Sequence, residues 1–152
     1  MAYVSAEARQ DLLETIGEAA DRIGLALAAL GAAYEQLDEH SADNLEEQLF
    51  RPAQAAYGRA KRTHAGFAQR HGLETRGFET AAAGLPSTGV KGFLEGAMEA
   101  AGEADRVLAE LQDSMMPVEV GDAELRAGLA EVRELVGRLP GRAREFARTL
   151  GR

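Results

Sequence analysis

Apolar residues recur at steps of three or four along most of this chain of 152 residues, and polar residues fill the positions between them. The first such stretch runs from Leu12 to Leu37, and its spacing puts the apolar side chains on one face of a helix. At about 1.5 Å per residue, a helix over residues 5–38 is roughly 50 Å long. A one-sided helix of this length needs partners of similar length, and three further stripes follow it in the chain.

Helix-capping residues and glycines set the bounds of the predicted elements. Helices are predicted at about 5–38, 41–71, 88–115 and 122–151, with a long connection over 72–87 between the second and third. We expect the apolar residues of this connection to fold onto the open end of the core. The sequence thus predicts an all-α fold in which residues 1–152 form a single domain, an antiparallel up-down four-helix bundle.

Prolines fall inside the predicted second and fourth helices. Pro52 cannot donate a hydrogen bond to the carbonyl of Gln48, so it either kinks the second helix or opens a restarted one. Pro140 precedes Gly141 without shifting the apolar register, so we expect a bend or a local break there. The pattern alone does not decide between a kink and a break at Pro52.

Composition and charge exclude several classes of protein. The chain has no cysteine, which removes disulfides, thiolate zinc sites and cysteine nucleophiles. Its net charge of -8 argues against non-specific nucleic-acid binding. No apolar run approaches the roughly 20 residues of a membrane span, so no membrane partner is expected. The first eleven residues lack the basic and apolar regions of a secretory signal, which predicts a cytoplasmic protein.

Groups that could hold a metal or perform catalysis are sparse. No histidine follows a glutamate by three residues, and no predicted inward position is acidic, although both features are typical of metal sites in helical bundles. The sequence also lacks a nucleophile elbow and the glycine-rich loops that bind phosphates or dinucleotides. We therefore predict no metal, no cofactor and no enzyme, and we expect His64 and His71 at the surface.

Basic residues are concentrated late in the second and fourth helices. In an up-down bundle both helices end at the same pole, where the long connection also lies, and arginines there could bind a small phosphate or carboxylate anion. The candidate residues for this site are Arg62, His64, Arg70, His71, Arg76, Arg144 and Arg148. The first and third helices begin at that pole with acidic residues, so a belt of exposed ion pairs is the alternative.

Three glycines, Gly17, Gly24 and Gly31, recur every seven residues along one edge of the first stripe. They either form a seam for close approach of another helix, such as that of a second subunit, or reflect chance in a glycine-rich chain. We predict a non-enzymatic helical interaction or scaffold domain that self-associates, with a dimer favoured, or that binds another helical protein. The alternatives are a protein or enzyme that binds a small anion at the basic pole, and a bundle that opens at its prolines around an apolar ligand.

Overall fold

The computed structural model describes residues 2–79 and 81–150, and every regular element in these ranges is helical. The α-helices are α1 (Ala2–Glu35), α2 (Glu39–Leu45), α3 (Arg51–His71), α4 (Gly89–Asp113), α5 (Met116–Glu119), α6 (Ala123–Gly137) and α7 (Leu139–Leu150). A π-helical stretch, Glu46–Phe50, joins α2 to α3, and a 3-10 turn, Pro86–Thr88, precedes α4. The prediction of an all-α fold is confirmed for the described residues. Thr80 of the predicted connection and the predicted helix end at Gly151 lie outside them.

Capping explains where the observed helices begin. The second helix begins two residues earlier than predicted, because the Asp38 carboxylate accepts a hydrogen bond from the Ser41 backbone N–H at 2.8 Å and caps the helix in place of Ser41. Asp122 caps α6, as expected, by accepting a hydrogen bond from the Leu125 backbone N–H at 2.8 Å. The first helix begins at Ala2 instead of residue 5.

Pro52 is accommodated by the π-helical stretch, and the helix continues through it. The backbone N–H of Arg51 donates to the carbonyl of Glu46, five residues earlier, which widens the helix just before the proline. Pro52 leaves the carbonyl of Gln48 without its helical donor. That carbonyl accepts a hydrogen bond from Arg142 Nη1 of α7 at 3.4 Å. α3 therefore begins directly after the π-helical stretch, and the chain is helical on both sides of Pro52.

The predicted fourth helix is interrupted once. α6 ends at Gly137, α7 begins at Leu139, and the single residue between them, Arg138, forms a turn. Pro140 then lies in the first turn of α7, where its missing N–H costs no helical hydrogen bond. The predicted local break at this proline is confirmed.

Contacts between helices show the direction of α4. Arg22 of α1 pairs with Glu103 of α4 at 3.3 Å. Gln36, just after α1, donates through Nε2 to the carbonyl of Pro86, just before α4, at 2.8 Å. α4 therefore begins at the end of the molecule where α1 ends, and the two helices run antiparallel.

The predicted up-down-up-down order is wrong for this reason. The short turn after α1 makes α3 antiparallel to α1, so α3 and α4 run in the same direction. The long connection carries the chain back along the molecule before α4 begins. α6 returns antiparallel to α3, since Arg70 near the end of α3 pairs with Asp122 before α6 at 2.8 Å. α3 and α7 consequently end at opposite ends of the molecule.

The predicted stripes form the buried core, apart from residues near helix ends. Among the described residues, Thr63 and His64 are the buried polar side chains, and no Asp or Glu is buried. α1 buries a wider face than one stripe because it packs on both α3 and α4. The additional buried residues of α1 are Leu13, Ala20, Ala29 and Ala33. Tyr34, Met115 and Leu150 continue the apolar spacing near the ends of their helices, and they are exposed.

Candidate functional site

The chain between α3 and α4, described at residues 73–79 and 81–85, lies across α1, and we name it the strap. Near its beginning, Arg76 Nη2 donates to the Asp21 carboxylate of α1 at 2.7 Å. Ala81 then lines the groove between α1 and α3, whereas Ala82 and Ala83 line the groove between α1 and α4. The strap thus crosses the outer face of α1 between these two grooves, and it holds α3 and α4 in their parallel arrangement.

The expectation that the apolar residues of the connection fold onto the core is met in part. Leu73 and Phe78 pack partly buried against the core, whereas Leu85 is 72% exposed. Phe78 also receives the guanidinium of Arg76 over its ring, at 4.4 Å from the ring centroid. The first half of the strap is therefore the part that is anchored by side chains.

Two residues of the predicted anion site, Arg70 and His71, bind acidic groups of this chain. Arg70 donates to both carboxylate oxygens of Asp122, at 2.8 and 2.9 Å, and to Glu124 at 2.8 Å. His71 Nε2 lies 2.9 Å from Asp122 Oδ2. The hydrogen bond to Asp122 raises the pKa of Arg70, and the Arg70 guanidinium holds the pKa of Asp122 far below its ordinary value.

The remaining predicted anion-binding arginines are dispersed. Arg62 is exposed on α3, and Arg76 is paired with a carboxylate of α1. Arg144 lies with Lys91 near the beginning of α4, and Arg148 pairs with Glu145 at 3.0 Å. These α7 residues lie at the opposite end of the molecule from the end of α3, because the strap reverses the direction of α4. The structure therefore does not bring the candidate residues together in one basic pole.

His64 is buried, which contradicts the prediction of a surface histidine. It is 3% exposed, and its Nδ1 has no hydrogen-bond partner among the described residues. Phe78 of the strap meets the imidazole edge to face, with ring centroids 5.1 Å apart. Burial lowers the pKa of His64, and the nearby charge of Arg76 lowers it further, against the opposite effect of Asp21. His64 is therefore an uncharged imidazole at neutral pH.

A small cavity of about 190 Å³ opens beside this imidazole, between α1, α3 and the beginning of the strap. It is lined by Gln10, Leu13, Glu14, His64, Glu74, Thr75 and Arg76. The walls carry two carboxylates, an amide and a hydroxyl, whereas the Arg76 guanidinium is turned to Asp21. Chemically, this is a polar recess with one buried, uncharged nitrogen base.

We expect the stability of the protein to fall as the pH drops below about 6.5, the ordinary pKa of histidine. The folded state lowers the pKa of His64, so the unfolded chain takes up the proton first and the stabilisation is lost as the pH falls toward the folded-state value. The other charged groups that line the recess beside His64 are Glu14, Glu74 and Arg76.

Chemical unfolding at pH 7.5 and pH 5 tests this. The loss between the two pH values is expected to shrink in His64→Phe and to persist in His40→Gln, which removes an exposed histidine. An equal loss in the wild type and in His64→Phe would contradict the assignment to His64.

The glycine row of α1 faces a row of rings at the same interval. Rings recur every seven residues from the end of the π-helical stretch to the end of α3, at Phe50, Tyr57, His64 and His71. The rows run antiparallel: a Cβ on Gly24 would lie 3.4 Å from the Tyr57 ring, and Gly31 lines the same hollows as Phe50. A Cβ on Gly17 would lie 3.0 Å from Arg76 Nη2. At Gly17 and Gly24 the close approach is therefore to side chains of this chain.

Gly31 differs from the other two glycines because nothing covers it. A Cβ placed there would meet no heavy atom of another side chain or element within 4 Å. Two adjoining hollows of about 290 and 430 Å³ meet at this residue, and we name them together the Gly31 groove. Their walls include Leu27, Tyr34, Phe50 and Tyr57, of which Tyr34 is exposed and the others are half-buried.

The sequence reasoning missed the wall residues of this groove and of the recess. Phe50, Tyr57 and His64 are spaced by seven residues, so their rings lie along one edge of the second predicted helix. This spacing indicates that the edge faces another element. Glu14 and Glu74 carry no comparable signal, because they are 60 positions apart and meet only through the path of the strap.

The described residues contain no group of three histidine or acidic side chains that could hold a metal ion. In the same ranges, no helix is long and apolar enough to cross a membrane. Comparison with protein-family models, with curated proteins and with solved structures found no match to this chain.

Proposed function

We propose that this chain is a non-enzymatic helical interaction domain, a helical bundle that self-associates as a dimer through the Gly31 groove. The observation that carries the proposal is the open backbone at Gly31, flanked by aromatic side chains that are exposed or half-buried. Small residues at a helix surface permit a second helix to pack closely, and half-exposed aromatic rings supply apolar area for the contact.

The charges along the groove favour a second copy of the chain as the partner. Glu35 and Glu46 lie at one end of the groove, and Lys61, whose Nζ is 4.2 Å from the Tyr57 ring centroid, lies at the other, where Glu79 of the strap also lines the wall. A two-fold axis through Gly31 brings Glu35 and Glu46 of each copy to Lys61 of the other. Two-fold interfaces are self-complementary in this sense, because each contact occurs twice.

Sedimentation of Gly31→Lys tests the proposal. The lysine stem fills the groove and brings an ammonium group into the interface, so we expect the dissociation constant of the dimer to rise at least about tenfold. The fold tolerates the change, because there is space at Gly31 and lysine is the better helix former.

Gly102→Lys is the matched control. Gly102 is an exposed helical glycine on α4, a Cβ there also meets nothing within 4 Å, and the change in charge is the same. We expect this variant to dimerise as the wild type does. A wild-type chain that sediments as a monomer at micromolar concentration, or equal weakening by both variants, would refute dimerisation through the Gly31 groove.

A further inference from the structure

The recess beside His64 is separate from the Gly31 groove, and self-association gives it no role. Its floor is an imidazole that is more than nine-tenths buried and whose Nδ1 has no partner among the described residues. Buried polar atoms in folded proteins are nearly always hydrogen-bonded, to protein, to water or to a ligand. The imidazole that lines this recess therefore has a hydrogen-bonding nitrogen that no described group of this chain uses.

The walls of the recess determine which charge a ligand of this site would carry. Glu14 of α1 and Glu74 of the strap both line it, and neither forms an ion pair with another described residue. The third charged group of the lining, Arg76, pairs with Asp21 at 2.7 Å, which offsets part of its charge, although that charge still lowers the pKa of His64. His64 is uncharged at neutral pH, so one of its ring nitrogens accepts a hydrogen bond. The groups left available favour a positively charged hydrogen-bond donor.

We propose that the recess binds a small organic cation with one or two primary ammonium groups, which donate to Glu14, Glu74 and the imidazole of His64. A volume of about 190 Å³ corresponds to about six water molecules at about 30 Å³ each, which suits a four-carbon diamine. An ammonium group needs only acceptors at hydrogen-bond distance, without the coordination geometry of a metal ion. The site is formed within one chain and does not depend on dimerisation.

Calorimetric titration of the full chain with 1,4-diaminobutane at about pH 7.5 tests the proposal. We expect saturable binding of the diamine and no binding of the neutral 1,4-butanediol or of butyrate, which match it in length. Glu14→Gln combined with Glu74→Gln is expected to weaken binding at least about tenfold, since charge-assisted hydrogen bonds are lost. In the wild type, the imidazole nitrogen resonances of His64 are expected to shift on addition of the diamine.

The control pair is Glu18→Gln with Glu110→Gln, which removes the same charge from exposed positions outside the recess and outside the Gly31 groove. It should bind the diamine within about twofold of the wild type, because general attraction to an acidic surface is a small part of binding in moderate salt. Equal weakening by the two pairs, binding of the diol or butyrate as tightly as the diamine, preferential binding of zinc, or unmoved His64 resonances would each overturn the proposal.

Discussion

Replacing Gly128 with alanine is expected to lower the free energy of unfolding by about 2 kcal/mol, although alanine is the better helix former. A Cβ at this position would lie 2.2 Å from Thr63 Oγ1 and 2.8 Å from Thr63 Cγ2. Such overpacking costs about 1–3 kcal/mol and occasionally more, and the gain in helix propensity returns about 1 kcal/mol. Gly128 thus sets how closely α6 approaches α3.

Thr63 has little freedom to move away from the added methyl group. It is buried, and its hydroxyl donates to the carbonyl of Arg59 at 2.8 Å. A β-branched side chain in a helix is restricted to few rotamers, so turning it costs additional free energy. The clash is therefore relieved mainly by separating α6 from α3, which loosens the core between them.

Urea unfolding of three variants measures this effect. Gly102→Ala is the control, and it should gain up to about 1 kcal/mol because nothing crowds that site. Thr63→Ala combined with Gly128→Ala should recover a large part of the loss, since it removes the two closest atoms. If Gly128→Ala proves as stable as Gly102→Ala, the helices are not in the close contact seen here.

Removal of the Asp122 carboxylate is the second large effect, a loss of about 2 kcal/mol in Asp122→Ala. The carboxylate caps α6 through the Leu125 N–H, binds Arg70 through both oxygens, and contacts His71. Loss of an N-cap costs about 1 kcal/mol, and the two-pronged, partly buried ion pair contributes about as much again. One side chain therefore links the end of α3 to the start of α6.

Asp38→Ala provides the comparison, because Asp38 also caps a helix at 2.8 Å but is exposed and has no arginine partner. We expect Asp38→Ala to destabilise the protein less than Asp122→Ala when both are measured by urea unfolding. Arg70→Gln combined with Asp122→Ala should cost little more than Asp122→Ala alone. Equal losses for the two aspartates would show that the contacts with Arg70 and His71 contribute nothing beyond the cap.

The effect of Asp122 also depends on pH in a defined direction. Hydrogen bonds from Arg70 lower its pKa in the folded state, so its stabilisation is complete above the ordinary value of 3.8 and is lost as the pH falls toward the folded value. The difference in stability between the wild type and Asp122→Ala should therefore be lost as the pH falls below about 3.8. A difference that persists undiminished in stronger acid would contradict this.

The periodicity of apolar residues was sufficient to predict the helices and most of the core. Helix formation and burial of one face depend on residues within a few positions of each other, and Leu45, Leu49 and Phe67, which lie on the apolar stripe of the second predicted helix, are buried. The break at Pro140 followed from local backbone chemistry in the same way. The π-helical stretch before Pro52 could not be predicted from local chemistry, because its stabilising donor, Arg142, lies 94 residues away in the chain.

The sequence by itself thus determined an all-α chain, the faces that its helices bury, and an interior without carboxylates. Only the tertiary structure decided the direction of α4, because a connection of this length can close at either end of the molecule at nearly the same entropic cost. Because of that direction, Arg70 and Arg144 lie far apart, and the basic pole that the sequence suggested does not form. The same path of the strap covers His64 and leaves Gly31 open, since both depend on contacts between residues that are distant in the chain.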